Sequence, residues 1–256
     1  MSGTVTGAMP SLYRDARLPK LVERLRRTPS SSSVPGTPPV LFFGDLFRAD
    51  VATVGLNPSH QEYLATDGTM LSGAVQRFAT LDSLGAPARS VLSDEQCAQA
   101  IDWMRKYYEP GRPVYSWFNP LSRVVAGFGV AFSSGGAAHL DLIQESTQPV
   151  WSGLGDDERS RLLDLDLPFL EWQIRSFQLR AIICNGKTVS EHVRKRLGVS
   201  VDDQGTLARV KWWVGHANIE GRRVSFGGWN IPLARPTGLG RQGEAALGKL
   251  LAEKLG

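Results

Sequence analysis

VATVGLNPSH, residues 51–60, is the stretch on which the fold turns. Its first six positions are apolar, small or β-branched, with no regular polar alternation, the pattern of a strand buried on both faces of a parallel sheet. Gly55 then removes a side chain where the backbone must turn or come close to a ligand. Pro58 fixes φ and stops the strand. Asn57 is therefore expected at the carboxyl end of a central strand, which is where open α/β sheets bind ligands.

Outward from this strand, RAIICNGKTVSEHVRKRL (180–197) predicts a second buried strand, a glycine turn and a helix, and AAHLDLI (137–143) predicts a third strand followed by a polar loop. VLFF (40–43) and VYSWF (114–118) are further strand candidates. Helical spacing points to helices over 10–27, 94–108 and 167–177, and TPSSSSVPGTPP (28–39) breaks the pattern as a loose connector. ARVKWWVGHANIEGRRVSFGGWNIPLA (208–234) predicts a hairpin feeding a last buried strand, and PTGLGRQGEAALGKLLAEKL a loop entering a terminal helix. Strands alternating with helices predict a three-layer α/β/α fold with a central, mostly parallel sheet. The expected organisation is a single domain over 1–256, with 1–39 forming an N-terminal helix and connector.

The 256 residues carry 29 Lys and Arg against 25 Asp and Glu, a formal charge of +4 that favours an anionic partner or simply a solvated basic surface. Cys97 and Cys184 are far apart and lack a metal-ligand spacing, so neither a disulfide framework nor a metal cluster is implied, and a reduced cytoplasm fits. No apolar run approaches the roughly 18 residues of a membrane span, and no signal pattern opens the chain. His60, His139, His192 and His216 have no mutual spacing that suggests a metal site; of these only His60 sits on the loop after the first strand. NGK (185–187) lacks the glycine spacing of a phosphate loop and reads as a turn. ARPTGLGR (234–241) again places small and basic residues beyond a strand and before a helix, whose free N–H groups suit a phosphate.

GLNPSH followed late in the chain by PTGLGR resembles the two signature loops of the uracil-DNA glycosylase superfamily, with the likeness spread over residues 51 to about 255. QRFATLDSLG (76–85) looks like the helix after the first loop, and IICNGKTVSE (182–191) like a later strand-turn-helix. The resemblance implies an enzyme that flips a nucleotide from DNA and hydrolyses its N-glycosidic bond without a cofactor or metal, with DNA as partner and the chain acting as a monomer. It casts Asn57 as the residue that orients the attacking water, with Gly55, Leu56, Pro58, Ser59 and His60 around the base. Arg235 falls where the second loop carries the residue that stabilises the departing base, or else it binds a phosphate. Thr237, Gly238, Leu239, Gly240 and Arg241 form the loop toward DNA, Leu239 as the wedge that fills the vacated stack.

Three departures from the family pattern concern the base. Ser59 replaces a tyrosine that blocks substituents at pyrimidine C5; the stacking aromatic is replaced around Met70 or Leu71, with Tyr63 as an alternative; and Asp141 stands where an asparagine reads uracil. An ionised carboxylate accepts from an amino group such as cytosine N4, although Asp141 also suits a structural role in capping a loop. Together these imply a cytosine bearing a C5 substituent, such as the glucosylated hydroxymethylcytosine of phage DNA. Uracil excision, a catalytically inactive DNA-binding module and a hydrolase of free nucleosides are the competing expectations.

Overall fold

The computed structural model describes residues 13–233 and 237–256. Val51–Gly55 forms β1, buried at every position, as a strand with no polar face requires. Ala137–Asp141 (β2) and Ala181–Asn185 (β3) are buried throughout and lie parallel on either side of it. Ser200–Leu207 (β4), Val210–Ile219 (β5) and Arg222–Trp229 (β6) complete a six-stranded sheet of order β2-β1-β3-β6-β5-β4. β6 is parallel to β3, whereas β5 runs antiparallel to both β6 and β4. The expected α/β fold with a mostly parallel central sheet is borne out, and four adjacent strands bring their carboxyl ends to one end of the sheet.

Helices flank this sheet: Leu18–Leu25 (α1), Asp94–Arg105 (α2), Phe118–Ala126 (α3), Asp156–Ser176 (α4), Lys187–Leu197 (α5) and Gly240–Leu255 (α6). α1 buries Leu18, Leu21, Val22 and Leu25 along one stripe. α2 starts at a reciprocal cap, in which Ser93 Oγ accepts from the Gln96 N–H at 3.2 Å and Gln96 Oε1 accepts from the Ser93 N–H at 2.8 Å. α3 and α6 meet backbone to backbone. A Cβ on Gly127 would lie 2.2 Å from the Gly248 carbonyl carbon, and one on Gly248 would lie 2.3 Å from Val124 O. That crossing, with the Arg123–Glu244 ion pair beside it, ties the carboxyl end of α3 to the first half of α6.

Several expected elements differ. Of the helix expected over 10–27, the described part begins at Leu18. VLFF is not a strand: it runs extended along the outer edge of β2, where Phe43 and His139 exchange N–H···O bonds of 2.9 Å, and forms a single bridge there. VYSWF turns into α3 instead of extending, because Trp117 and Phe118 already lie in its first turn. QRFATLDSLG forms no helix; Thr80 and Ser83 exchange side-chain to backbone bonds of 2.8 and 3.1 Å that close a turn in its place. α4 begins eleven residues before the expected 167, with Asp156, Asp157 and Glu158 in its first turn, and passes through Pro168. β4 was not expected at all. No helix among the described residues is long and apolar enough to cross a membrane.

Candidate functional site

A cleft of about 270 Å³ opens at the carboxyl ends of β1, β2 and β3. The sheet register sets its floor: Gly55 pairs with Asp141, Val54 with Cys184, and Asn185 with Trp229. Asp141, Gly55, Asn185 and Trp229 thus form one row across four strands, with side chains on one face. Gly55 is extended, so its value is not a turn. A Cβ there would sit 2.4 Å from Asp141 Oδ1 and 2.8 Å from His139 Nε2. The missing side chain is the space into which the acid and the imidazole fit.

His139 and Asp141 are two apart on β2 and share its cleft-facing side. Thr53 Oγ1 lies 2.7 Å from His139 Nδ1, and His139 Nε2 lies 3.4 Å from Asp141 Oδ1. The rings of Phe43, Trp117 and Phe118 surround the imidazole at centroid distances of 5.4, 5.4 and 5.1 Å. Asp141 Oδ2 is buried without a hydrogen-bond partner. Burial pushes the Asp141 carboxyl above the usual carboxylate range, with His139 opposing the shift.

Asn57 stands on the loop beyond β1, and its amide orientation is decided by its neighbours. Nδ2 donates to Pro58 O at 3.2 Å, Glu145 O at 3.4 Å and Thr147 Oγ1 at 3.1 Å. Two of these are carbonyls, which only accept, so the amide nitrogen must face them and Oδ1 is left for the cleft that Asn57 lines. The 144–147 segment that supplies these acceptors is anchored by buried charge. Arg89 grips Glu145 with two bonds of 2.8 and 2.9 Å, Arg24 reaches Glu145 at 3.2 Å and Asp166 at 2.8 Å, and Ser33 Oγ donates to Glu145 at 2.7 Å. Burial alone would raise the Glu145 pKa, but the two guanidiniums hold it below the usual value. Removing one partner of such a group leaves an uncompensated buried charge and costs about 3–5 kcal/mol.

Glu62 is a second buried acid lining the cleft. Tyr107 Oη accepts from the Tyr115 N–H at 3.1 Å, so its own proton goes to Glu62 Oε2 at 2.8 Å. Burial pushes the Glu62 carboxyl up to about 8, against the pull of that hydrogen bond and of Arg77. Phe43, Tyr115, Trp117 and Phe118 supply the apolar walls. On the far side of the floor, Asn185 Oδ1 accepts from Trp229 Nε1 and from the Leu233 N–H, each at 3.0 Å.

Of the residues singled out from the sequence, the structure brings Leu56, Asn57, Pro58, Ser59 and Asp141 together in the cleft wall, over the gap at Gly55. Ser59 also caps the turn over His60–Glu62, accepting from the Gln61 N–H at 3.2 Å. His60 begins that turn and does not line the cleft, and its Nδ1 is buried without a partner. Tyr63 is not a stacking residue here: its ring is buried against Phe78 and its hydroxyl donates to Pro38 O at 3.0 Å. Neither Met70 nor Leu71 lines the cleft: Met70 bridges Leu64, and the Leu71 N–H donates to Tyr63 O at 2.7 Å. The aromatic walls come instead from VLFF and VYSWF. Thr237, Gly238 and Leu239 form the approach to α6 and Gly240 and Arg241 are its first residues, with Leu239 half-buried and Arg241 exposed, whereas Arg235 lies outside the described residues.

No family model matches the chain, and a search of curated proteins returns no match. Among the described residues no group of three or more His, Cys, Asp or Glu could hold a metal ion. Glu62, His139 and Asn185 were not singled out as site residues. His139 and Asp141 at i and i+2 of a buried strand are the signal that could have found the first pair of polar groups facing one side.

Proposed function

We propose that this protein is a DNA glycosylase that hydrolyses the N-glycosidic bond of a flipped pyrimidine, a cytosine bearing a C5 substituent, and leaves an abasic site. The observation that carries the proposal is the pairing, in one cleft, of a fixed amide oxygen on Asn57 with the partnerless buried carboxyl of Asp141. At about 270 Å³ the cleft is slightly below the range of about 300–1,000 Å³ that holds drug-sized ligands, a size suited to one nucleobase between aromatic walls.

In this reading Asn57 Oδ1 accepts a hydrogen bond from a water and aims its oxygen at the anomeric carbon. The bond from that carbon to the base nitrogen breaks with its electron pair going to the base, the water oxygen bonds to the sugar, and the released proton ends on the departing base. An amide cannot take that proton, so the step leans on electrostatic stabilisation of the leaving base. Asp141 accepts from N4–H₂ of the cytosine. Ser59 leaves space at the wall where a tyrosine would exclude a C5 substituent, as a glucosylated hydroxymethyl group requires. The Thr237–Arg241 loop enters the duplex, with Leu239 as wedge and Arg241 on phosphate, and the enzyme works as a cytoplasmic monomer without a cofactor.

Mass spectrometry of bases released from a panel of modified DNAs tests the proposal. Free C5-substituted cytosine and abasic sites are expected, with release lost in Asn57→Ala while DNA binding survives. Release of uracil alone overturns the choice of base, and no release from any DNA overturns the enzyme. Uracil excision has one observation in its favour: burial raises the Asp141 pKa, and a protonated carboxyl donates to O4.

A further inference from the structure

We infer that Asn185 is the second half of the base reader, so that Asn185 and Asp141 together recognise an amidine edge, an amino group beside a ring nitrogen acceptor, as on cytosine N4 and N3. The inference rests on the glycosylase reading of the cleft and names what that cleft discriminates.

Three features of the floor lead to it. First, the polarity of the Asn185 amide is decided from behind. Trp229 Nε1–H and the Leu233 N–H both donate to Oδ1, so the oxygen is spent on them and the amino group turns the other way. No hydrogen bond within the described residues uses Nδ2, although Asn185 is buried and lines the cleft. Second, Asp141 shares its register row across the glycine gap, its carboxyl leaning over Gly55 toward β3. Adjacent strands are about 4.8 Å apart, so the carboxyl over β1 and the amide on β3 stand side by side. Third, the Asp141 carboxyl has acceptor capacity to spare: Oδ1, the oxygen over Gly55, meets only His139 Nε2 at 3.4 Å, and Oδ2 lacks a partner. A buried acceptor beside a buried donor is a two-point template for a ligand edge of opposite polarity.

Cytosine presents that edge: N4–H₂ donates to Asp141 and N3 accepts from Asn185. A carboxylate alone would set one oxygen against the N3 lone pair, and the Asn185 amino group removes that clash. Uracil presents the reverse polarity, O4 toward the acid and N3–H toward the amide: it sets donor against donor at N3, and its O4 is repelled by the ionised form of the carboxyl.

The test uses oligonucleotides whose target nucleoside carries a 2′-fluoro sugar, which resists hydrolysis, so that binding is read apart from catalysis. The target base is 5-hydroxymethylcytosine, its 3-deaza analogue or uracil. Wild-type protein should bind the cytosine probe about tenfold more tightly than either of the other two, on the scale of one good bidentate base contact. Asn185→Asp keeps an acceptor for Trp229 and Leu233 but turns an oxygen to the cleft, and should abolish the distinction between the cytosine and 3-deaza probes. The double swap Asp141→Asn with Asn185→Asp reverses the template and should favour uracil. Wild-type binding indifferent to the 3-deaza change overturns the inference without any variant having to fold, and so does an unchanged cytosine-to-uracil ratio in the folded double swap. If no probe binds better than unmodified DNA, the glycosylase reading itself fails; preference for cytosine without dependence on N3 sinks only the role of Asn185.

Discussion

The carboxylate of Asp141 occupies the space that a side chain on Gly55 would fill, with Oδ1 2.4 Å from where that Cβ would stand. Gly55→Ala is therefore expected to destabilise the protein by about 1–3 kcal/mol, the usual cost of overpacking a core, and to eliminate base binding by displacing the acid. Adding Asp141→Ala should recover most of the stability and none of the binding. Thermal or denaturant melts of the two single variants and the double close this cycle; purely additive losses would separate the two residues.

Thr147 tests how the Asn57 amide, proposed to position the water, is held. Its hydroxyl accepts from Asn57 Nδ2 at 3.1 Å while the Glu145 carbonyl takes the same group at 3.4 Å. Thr147→Val removes that acceptor at nearly constant shape and leaves the amide held only by the carbonyls of Pro58 and Glu145, with more freedom about its set orientation. A fall in kcat of about tenfold with KM unchanged is expected, corresponding to about 1.4 kcal/mol lost from the transition state alone. Thr147→Ser should restore the rate. Loss in the serine variant, or a loss confined to KM, would show that the hydroxyl does not orient Asn57.

Glu62 gives a pH signature. Its folded pKa is about 8 against 4.5 for the free group, and burial is the main cause. The unfolded chain releases this proton near pH 4.5 while the folded protein keeps it to about 8, so the stability tied to the neutral acid is complete below 4.5 and is lost as pH rises through 8. The effect is about 5 kcal/mol at most. Glu62→Gln keeps an acceptor for Tyr107 Oη and should flatten the decline of Tm between pH 5 and 8. Parallel declines in both proteins would mean that Glu62 titrates normally.

What could be read from sequence follows from which elements carry an unambiguous pattern. β1 and β3 are buried on both faces, so VATVG and AIICN are uninterrupted, and the carboxyl-end position of Asn57 follows directly. β4 is an edge strand in which Asp202, Asp203 and Gln204 sit beside Gly205, and nothing in SVDDQGTL separates it from a loop until β5 pairs with it. The start of α4 was hidden because Pro168 mimics a first-turn proline, and only the buried pairing of Asp166 with Arg24 shows that the polar LDLD stretch belongs to a helix. The aromatic walls were hidden for another reason: VLFF and VYSWF have strand composition but are packed as extended and turning segments by tertiary contacts. Asn185 looked like a turn residue, because its polarity toward the cleft is decided by Trp229, far along the chain.

The last expectation concerns Leu239, on the loop cast as the duplex wedge. Gly238 and Gly240 hold left-handed backbone at φ 76° and 59°, and Thr237 Oγ1 accepts from the Leu239 N–H at 3.3 Å, so the residue is presented on a shaped loop at the start of α6. Its side chain is half-buried and leans on the first turn, where a Cβ on Gly243 would come within 2.9 Å of Leu239 Cβ. To enter DNA it must lift off that turn and off the edge of the core against which it packs. An apolar residue inserted between base steps compensates for unstacking only where there is a stack to fill. Leu239→Ala should therefore lower base release from duplex DNA about tenfold while release from single strands changes little, the difference again about 1.4 kcal/mol. Rates measured on one target base in both contexts decide the matter. Equal losses on the two substrates would assign Leu239 to the packing of α6 and leave the duplex without a plug from this loop.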